Sequence, residues 1–544
     1  IELSLANAAL KDGATVVPSK LPAGYSVVEE NGVWVVKFTP VAKIGEKGYG
    51  TLAKAVAAVQ DGETITLVAD EVFTENNYYD NGGWKDGLGY SGDKSFTIDL
   101  NSKTIRQNGA LNDYLIWIKN DGSKANTITL KNGTLDAGTT AYCAIATASS
   151  NKQKITINLE NINLVGNNSN GAVAKIRGGS ELNVNAGTII TGNNNYVGIE
   201  AVGNNTVVNI YEGAEIYQNG TDSYVGAIVG ASYNATMNIY GGYGKSAKCG
   251  IIVMSTGATI NVSGGEWMAN GDGTIAGDNQ AVLVSQNNRY ESGWACKSVL
   301  NVTGGTFKGG YNCYGMGPGV EPDDAQINIK GGNFNADPAS YVVAGYESEE
   351  ENGVYTVAKN QDLVAFEEAI ANGGDVTLTT DITLSDPVII ESGKAVVLDL
   401  NGKTITGNWH KNNGAIIKNN GTLTIVGGTI SSTGDNGGSA IQNSGSLTVN
   451  DATLNGAPNA NGSWPSYTVN NTGKLTIIKS TISSYHGAVA SYGEGAIVTL
   501  NDSKIDMAGI PGFTSHGIYT YDRKPNMDIA KIRACNVQKA AVED

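Results

Sequence analysis

Thr259-Ile260-Asn261-Val262-Ser263-Gly264-Gly265 and Leu300-Asn301-Val302-Thr303-Gly304-Gly305-Thr306-Phe307 carry one pattern: an alternating apolar strand, a glycine step, then Thr or Ser and a further apolar residue. Glycine supplies turn conformations that a Cβ disfavours, so each step reads as a corner. Indexed by the last apolar residue before the step, copies fall at Leu100, Leu130, Ile157, Val184, Ile210, Ile239, Val262, Val302 and Ile329. A second series falls at Leu400, Ile425, Val449, Ile477, Leu500 and Ile529. Most neighbours lie about 23 to 30 residues apart, a period that signals a solenoid. A coil of that length holds two or three strands whose period-2 alternation turns Ile, Val and Leu inward, and stacked coils form parallel sheets. The expected fold is all-β: a right-handed parallel β-helix. Asn at the turn positions is expected to stack from coil to coil.

Composition agrees with a folded rod. Apolar residues make up 40% of 544, and 72 glycines stand against 11 prolines. A solenoid absorbs such length because each repeat packs on its neighbours alone. Thirty-six Lys and Arg against 52 Asp and Glu leave a formal charge of −16, which opposes nucleic acid and anionic membranes as partners. The same field argues mildly against a polyuronate, although a local basic groove would override it. The five cysteines are scattered without close pairs and read as isolated thiols. No run of about 18 apolar residues is present, so no membrane insertion is expected. The sequence opens at Ile1 without a methionine, and export and anchoring signals are expected to have been trimmed.

A larger repeat overlies the small one. Residues 50–70 (GTLAKAVAAVQDGETITLVAD) align with 361–381 (QDLVAFEEAIANGGDVTLTTD), and 96–105 (FTIDLNSKTI) with 396–405 (VVLDLNGKTI). This predicts two tandem modules, 46–357 and 358–544, with 1–45 as the closing segment of a preceding module or a junction. Each module opens with an amphipathic helix, near Leu52 to Val59 and Leu363 to Ala371, expected to cap the open end of its core.

The Gly-Gly-Thr-Phe steps, the Val397-Leu398-Asp399-Leu400-Asn401-Gly402-Lys403-Thr404-Ile405 signature and the helix followed by Asp-Gly-Glu-Thr-Ile-Thr-Leu resemble pectate-lyase-like right-handed β-helix repeats of gut-bacterial surface proteins. They are also similar to repeats of bacteriophage spike and fibre proteins. The resemblance covers nearly the whole chain and implies an exposed rod whose function lies in grafted sites. It implies no catalytic set, because the Asn-Thr-Asp, Asp-Asp, Gly-His-Gly and Arg-Ile-Lys signatures of related hydrolases are not assembled here. Asp323-Asp324, His516 and Lys175-Ile176-Arg177 stand far apart.

Asp99 and Asp399 occupy the same step of a duplicated signature and read as turn residues. His410, His486 and His516 form no metal-type pair. Asn270-Gly271-Asp272-Gly273, followed by Asp278 and Asn279, offers oxygen ligands that could suit a calcium near Asp272 but lacks a full twelve-residue loop, so a plain solvated turn is the preferred reading and no cofactor is expected.

Departures from the repeat are more informative. Between Glu71 and Lys94 the first module carries an insertion with Tyr78, Tyr79, Trp84 and Tyr90 among Asp86 and other polar residues, where the second has the short Ser385-Asp386-Pro387. Trp294, Trp409, Trp464 and Tyr467 stand in comparable places. An aromatic face beside amides and carboxylates suits a sugar ring, while the alternative is an aromatic laid over a neighbouring coil. These features point to a non-catalytic extracellular adhesin or spike, displayed on a bacterial cell surface or alternatively on a virion, that binds a glycan or a host or bacterial surface receptor. A polysaccharide lyase or glycoside hydrolase of this fold, and a passive stalk, are the alternatives. Self-association stays open.

Overall fold

Strand after strand buries every second side chain: Glu181–Val184 and Thr259–Val262 turn Leu182, Val184, Ile260 and Val262 inward and leave Asn183 and Asn261 outward. The computed structural model describes residues 9–10, 21, 24–31, 33–109, 111–221, 226–254, 257–274, 281–287, 298–315, 325–384, 386–408, 414–433, 438–457, 467–485, 487–493, 495–507, 516–521 and 536–539. They form an all-β parallel β-helix of the right-handed type, with α1 (Leu52–Ala58) and α2 (Gln361–Asn372) as the α-helices among the described residues. Contacts divide the chain into two units, 1–342 with 348–357 and 343–347 with 358–544.

In the first unit, one face stacks Thr64–Leu67, Phe96–Asp99 and their successors up to Ala325–Ile329, and a second face continues each coil beyond the next corner. The two run together where Asn126–Asp136 and Ile155–Gly166 pass the corner as single strands, bent at Asn132 and Asn161 with φ of 60° and 48°. The third face is a separate nine-stranded parallel sheet that starts at Leu88–Ser91 and Tyr114–Lys119. In the second unit three parallel sheets of six, seven and six strands stay distinct.

Register corrects part of the sequence indexing. The fully inward column reads Ile65, Ile98, Leu130, Leu159, Val184, Ile210, Ile239, Val262, Val302, Ile329. Leu159 and Ile98 take the places expected of Ile157 and Leu100. The equivalent column of the second unit runs through Leu398 rather than Leu400. Ile529 lies outside the described residues. Period-2 alternation makes residues i and i+2 alike in sequence, and pairing alone separates them.

The expected asparagine stacking occurs where Asn161 Nδ2 donates to Asn132 Oδ1 at 3.2 Å and Asn234 Nδ2 to Asn204 Oδ1 at 2.8 Å, and in the second unit at the strand ends Asn419, Asn443 and Asn471, joined in series at 2.7 Å. The longer ladder runs along the outward side of the strands instead. Each of Asn183, Asn209, Asn238, Asn261, Asn301 and Asn328 donates from Nδ2 to the amide oxygen of the asparagine one coil earlier, starting at Asn158, over 2.9 to 3.1 Å. Parallel strands lie about 4.8 Å apart, a spacing at which like amides meet.

The duplicated Asp-Leu-Asn step folds identically in both units. Asp99 and Asp399 each accept the N–H of the Asn two residues on, at 2.9 Å. Asn101 and Asn401 sit at φ of 48° and 46° and donate back to Leu67 and Leu378 carbonyls. The carboxylates therefore serve the turn. Asn401→Ala is expected to lower the thermal stability of the second unit by about 1–3 kcal/mol, through the left-handed conformation and the lost bond, while Asn401→Gly costs less. Equal melting shifts for the two variants would contradict this account.

Candidate functional site

The insertion is only partly a projection. Glu71–Phe73 and Leu88–Ser91 belong to the stack, and what rises above the third face is a small antiparallel hairpin, Tyr79–Asn81 with Trp84–Asp86. Gly82 and Gly83, at φ of 69° and 98°, make its two-residue turn.

The hairpin lies over the outward side of the nine-stranded sheet. Tyr79 stacks on Trp117 with ring centroids 5.9 Å apart and planes at 22°. Gly89 is the register partner of Trp117, and a Cβ there would come within 2.2 Å of the Tyr79 ring. Glycine at 89 thus lets the tyrosine lie flat on the sheet, and a larger residue would lift the hairpin. Trp84 at the tip is 53% exposed and Tyr79 36% exposed. Lys85 holds its ammonium 5.1 Å above the Tyr78 ring and donates its backbone N–H to Asn112 Oδ1.

Asp86 is fully buried beneath these groups. Its Oδ1 accepts the Tyr114 N–H at 2.9 Å and its Oδ2 accepts Asn81 Nδ2 at 3.1 Å, so one carboxyl clasps the hairpin to the sheet. Burial pushes the group up to about 7 against the pull of the Tyr114 amide, with neighbouring Asp113 adding to the rise. Burial also raises Asp113, which is hydrogen-bonded by the Tyr114 side chain. The Tyr114 hydroxyl in turn accepts Arg177 Nη2 at 2.7 Å, and the guanidinium carbon lies 5.3 Å from the Tyr114 ring centre.

The outward column of this face reads Gly89, Trp117, Ala146, Lys175, Glu200. Lys175 Nζ stands 2.8 Å from Glu200 Oε2. Arg177 Nε donates to the Thr147 carbonyl at 2.7 Å. The face therefore gathers an aromatic pair, a buried carboxyl, a tyrosine between a cation and a carboxyl, and a half-buried ion pair.

Of the residues expected at the site, Tyr78, Tyr79, Trp84 and Asp86 come together here. Tyr90 turns away: its hydroxyl accepts the Lys94 N–H at 2.9 Å and its ring meets Phe96 edge-on, so it fastens a corner. Asp86 was expected among exposed polar groups and is instead the buried clasp, because both of its oxygens are taken up by the fold. Tyr467, expected on a projection, lies in the strand Tyr467–Asn471, buried and stacked with Tyr519. Trp294, Trp409 and Trp464 lie outside the described residues. Asp272 accepts the Thr274 N–H at 2.9 Å within its own turn, and Asp278 lies outside the described residues. Among the described residues no three His, Cys, Asp or Glu side chains gather as a metal site, and no helix is long and apolar enough to cross a membrane.

Sequence reasoning missed Trp117 and Tyr114, and noted Arg177 only within the Lys175-Ile176-Arg177 run that assembles no hydrolase signature. Trp117 and Tyr114 sit in the unbroken run Tyr114–Lys119, which reads as core. Arg177 joins Tyr114 from 63 residues away. The alternation of Lys175 and Arg177 on one strand edge is the signal that was present.

No family model matches the chain and no curated protein matches it. Among solved structures, a PL6 family alginate lyase, AlyGC, is similar over 86% of this chain and 98% of its own, at 9% identity and a TM-score of 0.17. At that score the likeness carries no argument about what this chain does.

Proposed function

We propose that the chain is an extracellular, bacterial-surface adhesin that recognises carbohydrate through the hairpin and the face beneath it. The observation that carries this reading is the exposed Trp84 and Tyr79 on a hairpin seated over Trp117, with Asp80, Asn81 and Lys85 alongside. Aromatic faces give a sugar ring its apolar contact and the flanking polar groups meet its hydroxyls. The Tyr79–Trp117 stack and the Asp86 clasp fix the hairpin on the sheet before a ligand arrives, which lowers the ordering cost of binding. On the same reading the two units are tandem copies of one module, and α1 and α2 cover the open ends of their cores.

Trp84→Ala is expected to weaken binding to the responding glycan by about tenfold or more, with an unchanged melting curve because the side chain is largely exposed. A glycan array probed with the full chain and this variant makes the comparison. An identical array pattern for the two would remove the hairpin from the recognition site.

A second reading, turnover of a polysaccharide, is favoured by the Tyr114 hydroxyl held between Arg177 and Asp113 beside Asp86, since acid/base work needs such proton-bearing groups close together. Release of shortened or unsaturated products from a bound polysaccharide, lost in Tyr114→Phe, would establish it and displace the adhesin reading.

A further inference from the structure

Three successive turns leading from the nine-stranded sheet to the next face border an open groove of about 930 Å³. Its size falls within the range of about 300–1,000 Å³ usual for ligand sites. Residues 149–154, 177–179 and 202–205 form its walls, and Lys175 reaches in from the strand. Four cationic side chains, Lys152, Lys154, Lys175 and Arg177, line it with no carboxylate among the lining residues. On a chain with 52 acidic and 36 basic residues this is a local cluster of cations, two of which, Lys154 and Lys175, are paired with Glu181 and Glu200 just outside the lining.

Two of the cations are anchored at the back. Arg177 is held by Thr147 and Tyr114, and Lys175 by Glu200. Lys154 pairs with Glu181, which lies outside the lining. The Lys152 ammonium makes no hydrogen bond or ion pair among the described residues. Gly179 and Gly203, at φ of 73° and 93°, border open space: a Cβ at Gly203 would have no neighbour within 4 Å, and one at Gly179 nothing nearer than 3.9 Å.

We propose, building on the reading of this face as a glycan site, that its ligand is an anionic polysaccharide whose carboxylate or sulfate groups enter this groove. A neutral sugar hydroxyl can accept a hydrogen bond from an ammonium but leaves its charge unbalanced, whereas an anionic group adds the attraction of opposite charges. A negatively charged group gains a charge-assisted hydrogen bond. The overall charge of −16 does not oppose this at contact range, because the Debye length is about 8 Å at physiological ionic strength and distant acidic residues are screened. Carboxylate and sulfate share this chemistry, so separate probes distinguish them.

The test titrates the full chain calorimetrically with polygalacturonate, dextran sulfate and unmodified dextran, each at two salt concentrations. At least one anionic probe is expected to bind about tenfold or more tightly than dextran, and to weaken as salt rises. The double variant Lys152→Gln with Lys154→Gln is expected to lose about tenfold for that probe, and the Lys→Arg pair to restore it. Equal binding of charged and neutral probes, no effect of the glutamine pair, or no binding of any probe would each overturn the proposal. If Trp84→Ala abolishes all glycan binding while the glutamine pair does nothing, the glycan face stands and its anionic ligand falls. If the pair matters and Trp84→Ala is silent, the groove stands and the hairpin reading falls.

Discussion

Asp86→Asn is expected to raise the stability of the hairpin-bearing end of the first unit at neutral pH, and to remove most of its pH dependence between about pH 4 and pH 7. Burial lifts the folded-state carboxyl from 3.8 to about 7, so the folded chain holds a proton there that the unfolded chain releases near pH 4. The stabilising contribution is therefore complete below the unfolded value, declines as pH rises, and is gone above about 7, over a span on the order of a few kcal/mol. Asparagine keeps an oxygen for the Tyr114 N–H and carries no charge to desolvate. Asn81 need only turn its amide over to accept where it now donates. Melting temperatures from pH 4 to 8, with hydrogen exchange of residues 79–86, make the measurement. Parallel pH profiles for the variant and the parent would show that the titration is carried elsewhere. A shallow residual slope in the variant is expected from Asp113, which is raised by the same burial.

The second large effect is expected from Phe366→Ala. Phe366 projects from α2 with no exposed surface and belongs to the core cluster that runs through Leu363, Val376, Leu378, Ile390 and Leu398. Removing a buried phenyl ring costs about 3–5 kcal/mol, from lost transfer energy and from the cavity left behind. Because each coil contacts only its neighbours, the loss should fall first on the strands nearest the helix, Gly374–Thr377 and Val388–Ile390, as faster hydrogen exchange. Uniformly faster exchange over the whole second unit would instead mean that the unit opens in one step.

The architecture was legible because its cause is local. Alternating strands, glycine steps and a period of about 23 to 30 residues leave few folds other than a stack of coils. The helices were legible from one apolar face each, and α1 (Leu52–Ala58) and α2 (Gln361–Asn372) fall where that face predicts. The Asp-Leu-Asn turn was legible because asparagine accepts the left-handed conformation that Asn101 and Asn401 adopt. What failed was register and depth. Ile98 and Leu100 are both apolar and two residues apart, and only the pairing of Ile98 with Leu130 shows which of them belongs to the column.

The site was decided almost wholly by tertiary structure. Tyr78, Tyr79 and Trp84 were marked by their insertion, but their seat on Trp117 depends on how far the hairpin folds back over the sheet. Asp86 looks exposed in sequence and is buried, because two partners from different segments take up its oxygens. Arg177 reaches Tyr114 across two coils, and the cations of the groove come from three successive turns. In a solenoid the sequence determines by itself that coils form and which faces of its strands turn inward. Loop lengths and pairing register then set which outward side chains become neighbours, and that information exists only once the coils are stacked.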